Sequence, residues 1–146
     1  MMRLYTIGFT KKSAARFFGL LRGAGVATLV DVRLNNVSQL AGFAKRDDLK
    51  YFLKEICDIA YTHRTDLAPT QLMLDDYKKY GGNWTTYEDH FLELMKHRHI
   101  EDTVPQKLLD NAVLLCSEDK PHHCHRRLVA EYLAQRWPEM TIEHLV

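Results

Sequence analysis

The sequence predicts an α/β fold: a mostly parallel sheet with helices on both faces, a Rossmann-like three-layer single domain. Three observations predict it. Short apolar runs recur along the chain, as at 26–32, which is rich in β-branched residues, and at 112–116. Stretches with apolar residues three and four apart lie between them, and polar or glycine-bearing turns separate the two kinds of segment. At 146 residues the chain reads as one domain, 1–146, long enough to bury a core without disulfides or a structural metal.

Taken in order, Leu4-Tyr5-Thr6-Ile7-Gly8 has the length and composition of a first strand, and Gly8 allows a sharp exit. Phe17, Leu20, Leu21 and Ala24 make the stripe by which a helix packs on a sheet, and Gly23 and Gly25 bracket its end. Residues 26–32 form a second strand, closed by Asp31 and Arg33. The pattern from 34 to 45 is irregular, with Asn35-Asn36 favouring a turn. Asp47 or Asp48 is expected to cap a helix carrying Leu49, Phe52, Leu53, Ile56 and Cys57, with Cys57 a buried packing thiol. Residues 59–63 read as a third strand.

Met73, Tyr77 and Tyr80 suggest a short helix ended by Gly81-Gly82. Thr85 and Glu88 have capping-box spacing, placing a helix start just after Trp84 with Tyr87, Phe91, Leu94 and Met95 on the buried face. His97-Arg98-His99 then decorates an exposed helix end. Pro105 opens another helix through Leu108 and Leu109. Residues 112–116 form a buried strand, Pro121 is placed to open the helix of Leu128, Val129, Tyr132 and Leu133, and 141–145 is a last short strand.

A formal net charge of +1 and a pI near 7.8 give no global attraction to nucleic acid or membrane. Any basic surface is therefore local, at Lys11, Lys12 and Arg16 or at Arg126 and Arg127. No apolar stretch approaches the ~20 residues that span a bilayer, and Leu4 to Phe9 is too short for a signal-peptide core, so a cytoplasmic location and no membrane partner are expected. Three cysteines argue against a disulfide framework.

In a parallel sheet, ligands sit beyond the carboxyl ends of the strands, where strand order reverses. Those ends offer Gly8 to Thr10, Asp31 to Asn36, His63 to Arg64, and Cys116 to Glu118. The richest is the strand-to-helix junction, where Cys116, Glu118, His122, His123, Cys124, His125, Arg126 and Arg127 gather two thiols, three imidazoles, a carboxylate and two guanidiniums.

The segments Thr6-Ile7-Gly8, Val30-Asp31-Val32-Arg33 with Ser38 and Phe43 beyond, Tyr61, Leu115-Cys116 with Glu118, and Cys124-His125-Arg126 carry a resemblance. Through nearly its whole length the chain resembles the bacterial and archaeal proteins grouped as domain of unknown function 488. The resemblance implies a single small α/β domain and a family without an established reaction. Three positions depart from the family pattern. Phe9 stands where the first strand commonly ends in histidine, Asn36 where a proline is usual, and Leu67-Ala68 where Leu-Gly is usual.

Three chemistries compete for the junction. A helix start favours an anion, which Arg33, Arg126 and His125 would hold, with Cys124 in the first turn expected to have a lowered pKa. The close spacing of Cys124 and Arg126 leaves no room for the anion-cradling loop of phosphatases and sulfur transferases. A metal is the second reading, on Cys116, His122, His123, Cys124 and His125; against it stand the lack of a Cys-x-x-Cys pair and the adjacency of the residues. The third is structural, with His125 a core histidine and Asp31–Arg33 a buried ion pair.

The sequence thus assigns Asp31, Cys116, Glu118, Cys124 and His125 as candidate catalytic groups and Gly8, Arg33 and Arg126 as ligand-binding, with no metal ligand assigned and the cofactor left open. The expected partner is a small anion, a nucleotide or phosphorylated metabolite. The competing reading is a non-enzymatic nucleic-acid-binding or adaptor module, using Tyr77, Tyr80, Trp84 and Tyr87 beside Lys78 and Lys79 to stack on bases.

Overall fold

The computed structural model describes residues 2–37, 42–118 and 121–146. Ser38, one of the residues that carry the family resemblance, lies outside the described residues. The elements follow as β1 (Met2–Gly8), α1 (Ala14–Ala24), β2 (Thr28–Asp31), α2 (Arg46–Phe52), β3 (Ala60–His63), α3 (Gln71–Lys78) and α4 (Trp84–Arg98), then α5 (Ile100–Thr103), α6 (Gln106–Leu109), β4 (Ala112–Cys116), α7 (His125–Arg136) and β5 (Met140–Leu145). The five strands form one sheet in the order β3-β2-β4-β1-β5, every pairing parallel. The arrangement is the three-layer α/β fold that the strand–helix alternation predicts.

Each strand of a sheet covered on both faces must be apolar on both, which is why β4 reads as an unbroken buried run. Tyr5, Ile7, Leu29, Val113 and Leu115 point to one face, where they meet Phe17, Phe18 and Leu21 of α1 and Leu49 of α2. Leu4, Val30, Leu114 and Cys116 point to the other, against Tyr87, Phe91 and Met95 of α4 and Leu128, Val129 and Leu133 of α7. The chain leaves β2 across the first face and β4 across the second. Because β2 and β4 are neighbours, their exit loops part company, and a crevice opens between their carboxyl ends.

Helix boundaries depart from expectation in four places. Asp47 and Asp48 sit in the first turn of α2, behind the cap position Lys45. The cap of α4 is Asn83, whose Oδ1 accepts the Thr86 N–H at 2.8 Å, so the Thr85–Glu88 box is not used and Glu88 pairs with Arg127 instead. Pro121 precedes a turn, and α7 begins only at His125. Beyond α2 the backbone widens into a π-turn at Leu53–Cys57, which rotates Ile56 out to 42% exposure and leaves Cys57 half-buried against the Phe18 carbonyl. Arg98 is more than decoration. Its Nη1 donates to the carbonyls of Asp66 and Ala68, 2.8 Å each, tying the end of α4 to the turn after β3.

At Gly25, φ of +67° closes α1 in the left-handed conformation. Gly19 is different: it lies inside α1 with open space around a Cβ. Replacement Gly19→Ala should raise unfolding stability by about 0.5–1 kcal/mol, since only helix propensity changes. Urea denaturation measures it, and a loss of stability would contradict the assignment of this surface as free.

Candidate functional site

The loop leaving β2 is fixed by a buried charge network. Arg33 donates from Nε to Asp31 Oδ1 at 2.9 Å and from Nη2 to Oδ2 at 2.8 Å, and its backbone N–H also reaches Oδ1 at 3.1 Å. The Tyr61 hydroxyl adds a bond to Oδ2 at 2.6 Å, and Asn36 Nδ2 donates to that hydroxyl at 2.9 Å. Asp31 is wholly buried and Arg33 3% exposed. Burial alone would raise the Asp31 carboxyl, but the bonds and charge of Arg33, with the Tyr61 hydroxyl, outweigh it and hold the group below its ordinary range. Burial and the same carboxylate push the Tyr61 hydroxyl up. Two imidazoles finish the job from other elements. His63 Nε2 bonds the Arg33 carbonyl at 2.6 Å, and His125 Nε2 the Val32 carbonyl at 2.7 Å.

A second close approach joins β1 to the loop after β4. Arg126, fully buried, donates from Nη1 to the Glu118 carbonyl at 2.6 Å. That carbonyl lies so close over Gly8 that a Cβ there would come within 1.5 Å of its oxygen and 2.9 Å of the guanidinium. Gly8 is thus required for backbone approach, and Arg126 is a structural clamp rather than part of a surface patch. Its neighbour Arg127 pairs with Glu88 and Glu131.

Between these two anchored loops lies a crevice of about 130 Å³. Its polar wall holds Arg33, Asn35, Lys78, Cys116, Ser117, Glu118, His123, Cys124 and His125, and its apolar wall Leu34, Pro69, Leu74, Tyr77, Trp84 and Tyr87. Of the expected site residues, Arg33, Cys116, Glu118, Cys124 and His125 therefore meet. Asp31, Gly8 and Arg126 stand behind them as supports. Glu118 is at the rim, its carboxylate 3.5 Å from Lys78 Nζ. The guanidinium Nη1 of Arg33 is buried and has no hydrogen-bond partner among the described residues. The cap of α7, Cys124, makes no side-chain bond to the helix start, and the Arg127 N–H turns back to the Cys124 carbonyl at 3.2 Å.

Cys116, Cys124 and His125 are all buried, with ligand-capable atoms within 4.8 Å of one another. Burial opposes ionisation of both thiols. At Cys116 the hydrogen bond from Cys124 and the positive Arg126 outweigh it and bring the thiol below its ordinary value. Burial together with Cys116 pushes Cys124 well up. The order of the two thiols is the reverse of that expected from helix position, because burial and the neighbouring Cys116 dominate at Cys124. Of the other imidazoles, His122 is exposed and His123 stacks on Trp84, centroids 4.9 Å apart.

The aromatic wall was not legible as part of the site. Tyr77, Trp84 and Tyr87 pack on one another at 5.0–5.7 Å, while Tyr80 stands out at 76% exposure. The rings come from the long connection between β3 and β4, whose path over the sheet has no local sequence signal.

Sheet order, divergent loops and crevice together define an α/β protein of the kind that carries its site at the strand ends. The chain belongs to the family described as Domain of unknown function DUF488, whose model matches residues 13–133. No curated protein and no solved structure matches it. Among the described residues, no helix is long and apolar enough to cross a membrane.

Two outcomes are expected of the supporting groups. Asp31→Asn leaves the Arg33 charge buried without its counter-ion and should cost about 3 kcal/mol at neutral pH. The Asp31 carboxyl is depressed in the folded state, so its contribution is present above the unfolded pKa of about 3.9 and disappears as pH falls through the lower folded value. The stabilities of wild type and variant should draw together progressively as pH falls below ~3.9 and through the lower folded value; a gap that pH does not change contradicts the charge pairing. Gly8→Ala forces the Glu118 carbonyl away and should cost about 2–4 kcal/mol, read as a fall in urea midpoint. An unchanged midpoint would refute the close approach.

Proposed function

We propose that the crevice binds a small ligand with an anionic group at one end and an uncharged body at the other, of the nucleotide or phosphorylated-metabolite type. The observation that carries this reading is that Arg33 lines the crevice and its buried Nη1 lacks a partner among the described residues. A buried donor without an acceptor is costly, and an anionic oxygen would satisfy it with a charge-assisted bond. The uncapped start of α7 favours the same charge. Lys78 and His123 add further positive or donor groups at the rim. Pro69, Leu74, Tyr77 and Trp84 offer an apolar surface to the rest of the ligand.

In this reading Asp31 positions Arg33 and does not act as a base, since its two oxygens already serve Arg33, Tyr61 and Asn36. Any chemistry on the ligand belongs to Cys116, Cys124 and His125, with Glu118 the carboxylate within reach of solvent.

Trp84 lines the crevice, and Trp137 is the second tryptophan of the chain. In a Trp137→Phe background, adenosine monophosphate should change Trp84 emission and inorganic phosphate should compete with it. Adenosine should bind at least about tenfold more weakly, and Arg33→Lys, which keeps charge but loses the second guanidinium branch, should weaken the nucleotide by a similar factor, about 1.4 kcal/mol. Equal binding of adenosine and its phosphate, or unchanged affinity in Arg33→Lys, would overturn the reading.

A further inference from the structure

The three groups at the floor of the crevice have a composition that anion binding does not explain. We propose that Cys116, Cys124 and His125 form a three-ligand site for a zinc-type divalent cation, with its fourth position open to the crevice. The proposal stands independently of anion binding, because it uses none of Arg33, Lys78 or the α7 N–H groups.

Two thiols and an imidazole are the donors that borderline and soft divalent cations prefer, and three protein ligands with one open position is the arrangement of reactive rather than structural zinc sites. Adjacency of Cys124 and His125 in sequence is no obstacle here. Cys124 is extended, with φ −137° and ψ 137°, and His125 is the first helical residue. The change of backbone conformation between them turns both side chains toward Cys116, so that all three donor atoms fall within 4.8 Å of one another.

Spacing is close to that of a bound site. With metal–sulfur and metal–nitrogen distances of about 2.3 and 2.0 Å, a tetrahedral centre keeps its donors about 3.5–3.8 Å apart. Cys116 Sγ lies 3.5 Å from His125 Nδ1 and 3.8 Å from Nε2. The widest separation would close by about 1 Å through side-chain rotation.

The histidine is also supported as a ligand would be. A carbonyl only accepts, so the 2.7 Å bond to Val32 places the ring proton on Nε2. In the neutral ring Nδ1 is then the unprotonated nitrogen, on the side of Cys116. Such a bond from the far ring nitrogen to a backbone carbonyl is the usual outer support of metal-bound histidine. Two thiolates and a divalent cation sum to zero charge, which suits a site where both thiols are buried. All three residues line the crevice, so a water or an anionic group of a ligand can reach the remaining position.

The test is cobalt(II) titration of the full chain, with zinc content measured on untagged protein prepared without chelator. A thiolate-to-cobalt charge-transfer band should saturate at about one cobalt per chain, and zinc should displace it. The band should be lost in Cys124→Ser and in His125→Gln, and kept in Cys57→Ser and in Arg33→Lys. The last variant separates this proposal from the anion reading, for it weakens the nucleotide and leaves the cobalt band intact. No band in the wild-type protein, or a band lost in Cys57→Ser, overturns the metal site whatever the crevice does with anions. Because the wild-type titration and Cys57→Ser decide the matter, a folding defect in Cys124→Ser would not obscure it.

Discussion

The bidentate pair between Asp31 and Arg33 is the constraint on which the site depends. A carboxylate and a guanidinium two residues apart, both out of water, leave the chain after β2 with a single low-energy path. Tyr61 and His63 then grip that path from β3, and His125 grips it from α7. Such an arrangement contributes less to net stability than its bonds suggest, because both ions had to be stripped of water. What it supplies is geometry. The stretch 31–36 is bonded within itself, to β3 and to α7, and these bonds set the part of the crevice wall that Arg33 forms.

The opposite wall is fixed by a contact between backbones. Glu118 presses its carbonyl onto Gly8, and Arg126 locks that carbonyl from below. The strand end of β4 and the start of α7 therefore keep a set distance from β1. Cys116, Cys124 and His125 inherit their proximity from this clamp, and the opposed shifts of the two thiols follow from that proximity in a dry place. Residues that stand behind the crevice thus determine what the residues inside it can do.

Strands and the layer pattern were legible in the sequence because burial on both faces writes itself as unbroken apolar runs, and 112–116 needed no context to be read. Caps were less legible. Thr85, Asp47 and Pro121 are all competent helix starters, and the choice of Asn83, Lys45 and Cys124 is made by where the chain must come from, which is a tertiary fact. Ile56 was misplaced because a π-turn breaks the 3.6-residue period that the reading assumed. At the crevice, residue types pointed to strand ends that the fold does bring together, but not to which group touches which. That Asp31 is consumed by Arg33, that Gly8 and Arg126 are supports, and that Tyr77 and Trp84 close the crevice are matters of three-dimensional register.

The insertion of β4 between β1 and β2 has a consequence in time. β1 pairs only with β4 and β5 in the sheet, and β2 only with β3 and β4. As the chain is synthesised, the first strand waits for more than a hundred residues before its neighbour exists, while β2 and β3 can join early. Loop-closure entropy must be met before that central pairing returns anything, and such non-local parallel sheets fold slowly for that reason. At the strand ends the contacts between the β2 loop and β3 can form early, while those that need β4 and α7 are assembled only after that central pairing.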